Sequence, residues 1–263
     1  MKSTTLLAVL ALVVAAPASA ADLAAIKAKG VLRVLVVPVK GSNEFFPLAG
    51  SPPGFDREIL EGFAQLHRVR IEPIAVEGWD QLVPGLTSGR GDVAAGRFTV
   101  TEDRRKRIAF TSEVFPTRNV VLTRKPSPRI ERLEQLRDAK VGTIKGSSMA
   151  EAVARAGVPA ANVDDSYLPG GLPRALVSGK VGAVVLGIES AIVARRDDPQ
   201  IELGLFVGPP GSLAYGVRRE NGELLAALNG YIENVRKTAT WSRLVVKYFG
   251  EAAPEILKKA RLE

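Results

Sequence analysis

The turn Gly146-Ser147-Ser148 stands between a β-branched apolar stretch and a helical pattern. The first N–H groups of a helix lack backbone partners, and with the helix dipole they favour an anion. The Ser148 hydroxyl adds a donor. The same turn serves equally as a plain N-cap, since one capping position can hold helix and ligand together. Arg104-Arg105-Lys106-Arg107 is a second concentration of donors. A planar guanidinium binds a carboxylate through two parallel charge-assisted hydrogen bonds, while a run of four cations also reads as a solvated surface. Other chemistry has little to work with. There is no Cys and a single His, His67, which excludes disulfides, thiolate metal sites and Cys nucleophiles. A Ser/His/Asp triad would have to use His67, and nothing around it supports one. No cofactor and no metal are expected.

The 263 residues carry a net charge of +8, with 46% hydrophobic and 24% charged residues, an ordinary globular composition. That length suits one large domain or two lobes of roughly 100 residues each. Apart from 104–107 the cations are scattered and aromatics make up only 6%, so no nucleic-acid partner is expected; the surplus is expected to draw in anionic ligands or to tolerate an acidic membrane surface. Residues 1–20 read as a secretory leader: a basic start, an apolar run broken by Pro17, and Ala18-Ser19-Ala20 as the cleavage site. The run is short for a bilayer, and no Cys follows it to carry a lipid. A soluble, exported chain cleaved after Ala20 and residing in the periplasm is the expectation.

Strands and helices alternate along the remainder, which indicates an α/β design with a largely parallel sheet. A helix over 23–29, a strand over 31–37, a helix opening at Gly54-Phe55-Asp56 with Ile59, Leu60, Phe63 and Leu66 on one face, and a strand over 69–76 come first. A helix over 79–88, a strand over 92–95, a helical turn over 102–107 and a strand over 120–123 follow. Pro126-Ser127-Pro128 interrupts, and the pattern begins again: strands over 140–144, 163–167, 183–186 and 203–207, helices over 149–156, 172–178 and 189–195. Pro209-Pro210-Gly211 is a second break, before a strand over 214–217 and helices over 223–235 and 242–248, the last ending at Gly250. Two breaks around a middle block predict an inserted lobe: lobe 1 from 21–125 and 211–263, lobe 2 from 126–210, joined by a two-strand hinge that can close over a ligand.

The stretch Trp79-Asp-Gln-Leu-Val-Pro-Gly-Leu-Thr-Ser-Gly-Arg-Gly-Asp92, then Thr99-Val-Thr-Glu-Asp-Arg104 and Ile108-Ala-Phe-Thr-Ser112, resembles the family 3 periplasmic solute-binding proteins. These serve ABC importers of polar amino acids and related compounds. Gly54-Phe55-Asp56, Lys140-Val-Gly-Thr-Ile-Lys-Gly-Ser-Ser148 and Tyr248-Phe249-Gly250 fit the same family in the same order. The resemblance implies the two-lobe type II periplasmic-binding fold with a ligand cleft between the lobes. It assigns the carboxylate grip to Arg104 of the T-x-T-x-x-R motif, with Thr99 and Gly96 beside it. Ser147 and Ser148 would close on the same carboxylate from the other lobe. It also implies that Trp79 covers one face of the ligand, with Phe45 or Phe46 as the opposite wall.

One departure bears on the ligand. Amino-acid binders of this family place an Asp after G-[KR]-x-D-A to pair with the α-ammonium, and here that position falls on Gly187 within Gly179-Lys-Val-Gly-Ala-Val-Val-Leu-Gly187-Ile-Glu189. Either Glu189 substitutes after a local shift, or the ligand is a carboxylate without an α-ammonium; Glu189 also reads as an ordinary first-turn acid. On the first alignment, Asp at 187 is expected to improve amino-acid binding. The expected function is capture of a small anionic or zwitterionic solute by a monomer, for an inner-membrane ABC permease. A non-transport sensing module is the alternative, since Leu-Gly-Ile-Glu-Ser190 and Asp198-Pro199 also look similar to the regulatory lobe of membrane-bound lytic transglycosylase F. A cyclohexadienyl-dehydratase-like enzyme is the third, with Glu189 as its acid.

Overall fold

A computed structural model describes residues 22–39 and 44–262. The expected leader, residues 1–20, lies outside the described residues. Among the described residues ten strands form two five-stranded sheets. The first has the order β2-β1-β3-β10-β4, built from β1 (Val31–Val36), β2 (Arg70–Ala75), β3 (Val93–Ala94), β4 (Ala109–Phe110) and β10 (Gly216–Val217). The second has the order β7-β6-β8-β5-β9, from β5 (Phe115–Arg124), β6 (Val141–Gly142), β7 (Val163–Asp164), β8 (Ala183–Gly187) and β9 (Ile201–Leu213). In each sheet three parallel strands, β2-β1-β3 in the first and β7-β6-β8 in the second, make up one side, and antiparallel pairing adds the other two strands. The apolar runs of β1 and β8 lie on the inside of their sheets, β8 buried at every residue, as strands covered on both faces require.

Helices fill the faces: α1 (Leu23–Lys29), α2 (Phe55–Leu66), α3 (Leu82–Thr87) and α4 (Glu102–Arg105) in the first half, α5 (Leu133–Asp138), α6 (Ser148–Arg155), α7 (Leu172–Val177) and α8 (Ile188–Asp197) in the second. In α2, Phe55, Ile59, Leu60 and Phe63 are buried as the periodicity predicts. Leu66 is not: the helix ends there and the chain turns outward through left-handed Arg68, leaving Leu66 66% exposed. The C-terminal part returns to the first half as α9 (Gly222–Lys237) and α10 (Thr240–Phe249), and then adds α11 (Ala253–Leu262). The sequence pattern predicts a last helix ending at Gly250, which takes a positive φ of 87°. Pro254 in the first turn is compatible with a new helix, and α11 packs on β5, α8 and α10, tying the chain end to the second sheet.

The chain passes between the sheets twice, over 111–114 and over 214–215, and the two crossings run side by side. Val114 N–H donates to the Leu213 carbonyl at 2.9 Å and Thr111 N–H to that of Tyr215 at 2.9 Å. Glu113 joins them by accepting from the Ser212 hydroxyl at 2.7 Å and from Arg236 at 3.1 Å. The proline breaks are not where the chain changes sheets. All of β5 already belongs to the second sheet, and Pro209-Pro210-Gly211 lies within β9. An edge strand tolerates prolines that an inner strand would not, and β9 is an edge. The divisions expected at 125 and 210 therefore differ from sheet membership, by which the second half runs from Phe115 to Leu213. An apolar core runs through both halves at the crossings. Phe55, Phe115 and Phe249 meet there with ring centroids 4.9 to 5.9 Å apart.

Candidate functional site

A cavity of about 620 Å³ lies between the halves. The first half contributes Trp79, Arg97, Thr99 and Arg104 to its wall, and the second contributes Thr117, Ser147, Ser148 and Glu189. Polar groups of the two halves meet here: the Ser148 hydroxyl donates to Thr99 Oγ1 at 3.1 Å, and Arg97 Nη1 to Ser190 Oγ at 3.3 Å. The approach is close at Gly146, which takes a left-handed φ of 72° and whose added Cβ would stand 2.9 Å from the Cβ of Asp80.

Arg104 sits in the short helix α4, capped by Thr101, whose hydroxyl oxygen accepts from the Arg104 N–H. The residue is 8% exposed, and its guanidinium donates from Nη1 to the Thr99 carbonyl at 2.8 Å and lies 4.5 Å from the centre of the Phe98 ring. Among the described residues no carboxylate pairs with it. Burial pushes its pKa down to about 10 against the opposing fields of Glu151 and Asp80. A buried cation without a counter-ion is costly to the fold and is well matched to a ligand carboxylate. Arg105 and Arg107 are exposed, so one member of the basic run turns inward while its neighbours remain in solvent.

Ser147 is the N-cap of α6: its Oγ accepts from the Ala150 N–H at 3.2 Å and donates to the Ile144 carbonyl at 2.6 Å. That hydroxyl is committed to the helix, while Ser148 faces Thr99. Trp79 opens a 3-10 turn, is 6% exposed, and its buried Nε1 has no acceptor among the described residues. Phe45 lines the cavity; Phe46 does not. Phe46 is buried behind the 96–97 turn, its Cβ 3.7 Å from where a Cβ on Gly96 would lie. Gly96 is likewise off the wall, and its N–H is taken by Asp56 Oδ2 at 3.1 Å.

Glu189 begins α8 and is 5% exposed, and its Oε2 accepts from the Thr117 hydroxyl at 2.6 Å. Burial raises its pKa despite that bond and despite the field of Arg97. A Cβ built on Gly187 would lie 2.2 and 2.6 Å from the two Glu189 carboxylate oxygens. The carboxylate of Glu189 therefore occupies the space that a side chain at 187 would take.

Several wall residues had no signal of their own in the sequence. Arg97 adopts a positive φ of 62°, which sequence does not reveal for a residue other than Gly. Thr117 lies in β5 ahead of the apolar run from which the strand was read. Asp56, behind the wall, reads in the sequence only as a helix start. It is a buried acid holding the 96–97 turn through Gly96 and Arg97 N–H groups at 3.1 and 3.2 Å, with the Tyr215 hydroxyl at 3.3 Å. Burial outweighs those bonds and raises its pKa to about 6. The cavity also extends between α7 and α8 along Leu172, Val177, Leu186 and Val193, giving it a larger apolar portion than the motifs suggested.

Comparisons with known proteins agree with this architecture. The chain is 25% identical over 238 residues to a probable histidine-binding protein of Neisseria gonorrhoeae, covering 85% of this chain and 86% of that one. It is 24% identical over 231 residues to a membrane-bound lytic murein transglycosylase F of Pseudomonas putida; that match covers 86% of this chain but only 47% of the relative. Among solved structures, an ancestral arginine-binding protein bound to glutamine superposes with a TM-score of 0.72 at 29% identity, over 84% of this chain and 99% of that one. Among the described residues no helix is long and apolar enough to cross a membrane. The sequence profile of one family matches residues 35–251, and the chain accordingly belongs to the bacterial extracellular solute-binding proteins, family 3.

Proposed function

We propose that this solute-binding protein captures a small carboxylate-bearing solute in the cavity between its halves and delivers it to an ABC importer. The observation that carries the reading is Arg104, a buried guanidinium on the cavity wall without a protein counter-ion among the described residues. Ser148 and the start of α6 face it from the other half, so a carboxylate on Arg104 gains donors from both sides when the halves are together. Binding then draws the halves onto one another, which is the conformational signal a membrane partner can read. Export through the leader at 1–20, a periplasmic location, a monomeric state and an inner-membrane permease belong to the same reading. They are supported by the family and by the name of the histidine-binding relative.

The match to transglycosylase F favours a second reading, a ligand-sensing module outside transport, because it covers most of this chain and about half of that protein. Both readings use the same cavity. The test common to them is a thermal-shift screen of the purified protein against small carboxylates. A ligand at 100 times its dissociation constant adds about 2.7 kcal/mol to apparent stability. Shifts confined to carboxylates support the proposal, and shifts given only by uncharged solutes would refute it. A permease gene alongside this one decides for transport over sensing.

A further inference from the structure

Arg97 is the least expected residue of the cavity. It holds a left-handed φ of 62°, a conformation that side-chain-bearing residues adopt at a cost. The turn is fixed from behind by Asp56, which accepts the N–H groups of Gly96 and Arg97. From there the guanidinium crosses toward the second half, 5.6 Å from the Phe45 ring centre and 5.9 Å from that of Trp79, and reaches Ser190 Oγ. Glu189 is the foremost acid in its field, ahead of Glu44 and Asp56. Glu44 is itself ion-paired with Arg196 at 3.0 Å.

Glu189 in turn occupies the space of a side chain at 187, where the resemblance places the ammonium-binding acid of amino-acid binders. The acid is thus present, displaced by two residues, but it is already served. Thr117 donates to it at 2.6 Å, and a cation of the protein lies in its field. An ammonium arriving beside Glu189 would meet the Arg97 guanidinium in a buried, low-dielectric place, where like charges repel strongly. Two further donors face this part of the wall: among the described residues, Arg97 Nε and Trp79 Nε1 are both buried without an acceptor. An ammonium, itself only a donor, satisfies neither of them.

We infer that Arg97 is a built-in counter-ion that replaces the ligand's ammonium, so that the site selects carboxylates whose neighbouring carbon bears no ammonium. Simple, 2-oxo and 2-hydroxy carboxylates with an apolar body fit this description, the body lying along Leu172, Val177 and Leu186. The inference rests on the carboxylate reading given above and narrows it.

Calorimetric titration of the purified protein with phenylpyruvate against phenylalanine, and 4-methyl-2-oxopentanoate against leucine, tests it. The wild type is expected to bind each oxo acid at least about tenfold more tightly than its amino acid, tenfold being about one favourable charge contact. Arg97→Gly removes the cation and suits the left-handed turn; Arg97→Asn, also tolerant of that turn, is the second variant. Either variant is expected to close that gap or reverse it. A wild type that prefers the amino acids, or a preference unchanged in both variants, overturns the inference. If that preference for amino acids is lost in Arg104→Met, the carboxylate reading still stands and only the role of Arg97 falls. No binding of any of the four compounds by any of these proteins overturns both.

Discussion

Arg104→Met separates a residue kept for a ligand from one kept for the fold. The fall of the Arg104 pKa from the ordinary arginine value to about 10 corresponds to a net cost of about 3 kcal/mol to the buried cation. Against this stand one charged hydrogen bond to the Thr99 carbonyl, about 1.5–3 kcal/mol, and the contact with Phe98, about 1 kcal/mol. Met fills most of the same volume with an adaptable apolar chain. The opposing contributions nearly cancel, so the ligand-free variant is expected within about 1 kcal/mol of wild type, or about 2–4 °C in Tm for a chain of this size. Ligand affinity is another matter. Removing one partner of a buried charge pair costs about 2–5 kcal/mol, or about 30-fold to several thousand-fold. Thermal melts without ligand and calorimetry with the most stabilising carboxylate read the two effects separately. A ligand-free Tm lower by about 10 °C would mean that Arg104 is structural, and unchanged affinity would remove it from the site; either refutes the reasoning.

Gly187→Asp would place its Cβ 2.2 Å from a Glu189 oxygen, so that carboxylate must swing aside to admit it. Displacing Glu189 from Thr117 and burying a second carboxylate should cost about 2–4 kcal/mol in urea denaturation, with most of it recovered by adding Glu189→Ala; a single variant as stable as wild type would contradict this packing. Asp56 gives a pH signature. Its folded pKa of about 6 lies above the ordinary 3.8, so the folded state holds the proton more tightly than the unfolded one. Stability from this group is greatest below about pH 4 and falls by about 3 kcal/mol as pH rises to about 6, then levels. Asp56→Asn, which cannot titrate, should gain on wild type across that window. A difference between the two proteins that is flat from pH 4 to 7 would count against the buried acid.

The sequence carried most of the fold because apolar periodicity and punctuation marked nearly every helix and strand. Where it misled, the cause was local. Pro209-Pro210-Gly211 looked like an interdomain break, and only the edge position of β9 makes it part of a strand. The helix α11 followed a left-handed Gly250 that resembled a chain-ending cap. Arg104, Ser148 and Trp79 were legible because a motif named them and the cavity includes them. Arg97 and Thr117 were not, since the first depends on an uncommon backbone conformation and the second on a partner 72 residues away in the chain. Phe45 and Phe46 are adjacent and chemically identical, and only the packing against Gly96 distinguishes wall from core.

The central claim, that the cavity recognises a carboxylate through Arg104, is tested most directly by changing that one group on the ligand. Calorimetry would compare the best-binding carboxylate with its primary amide, which has the same shape and no charge. The account predicts that the amide binds at least about 100-fold more weakly, the measure of a buried charge-assisted pair. Equal affinity for acid and amide would contradict it.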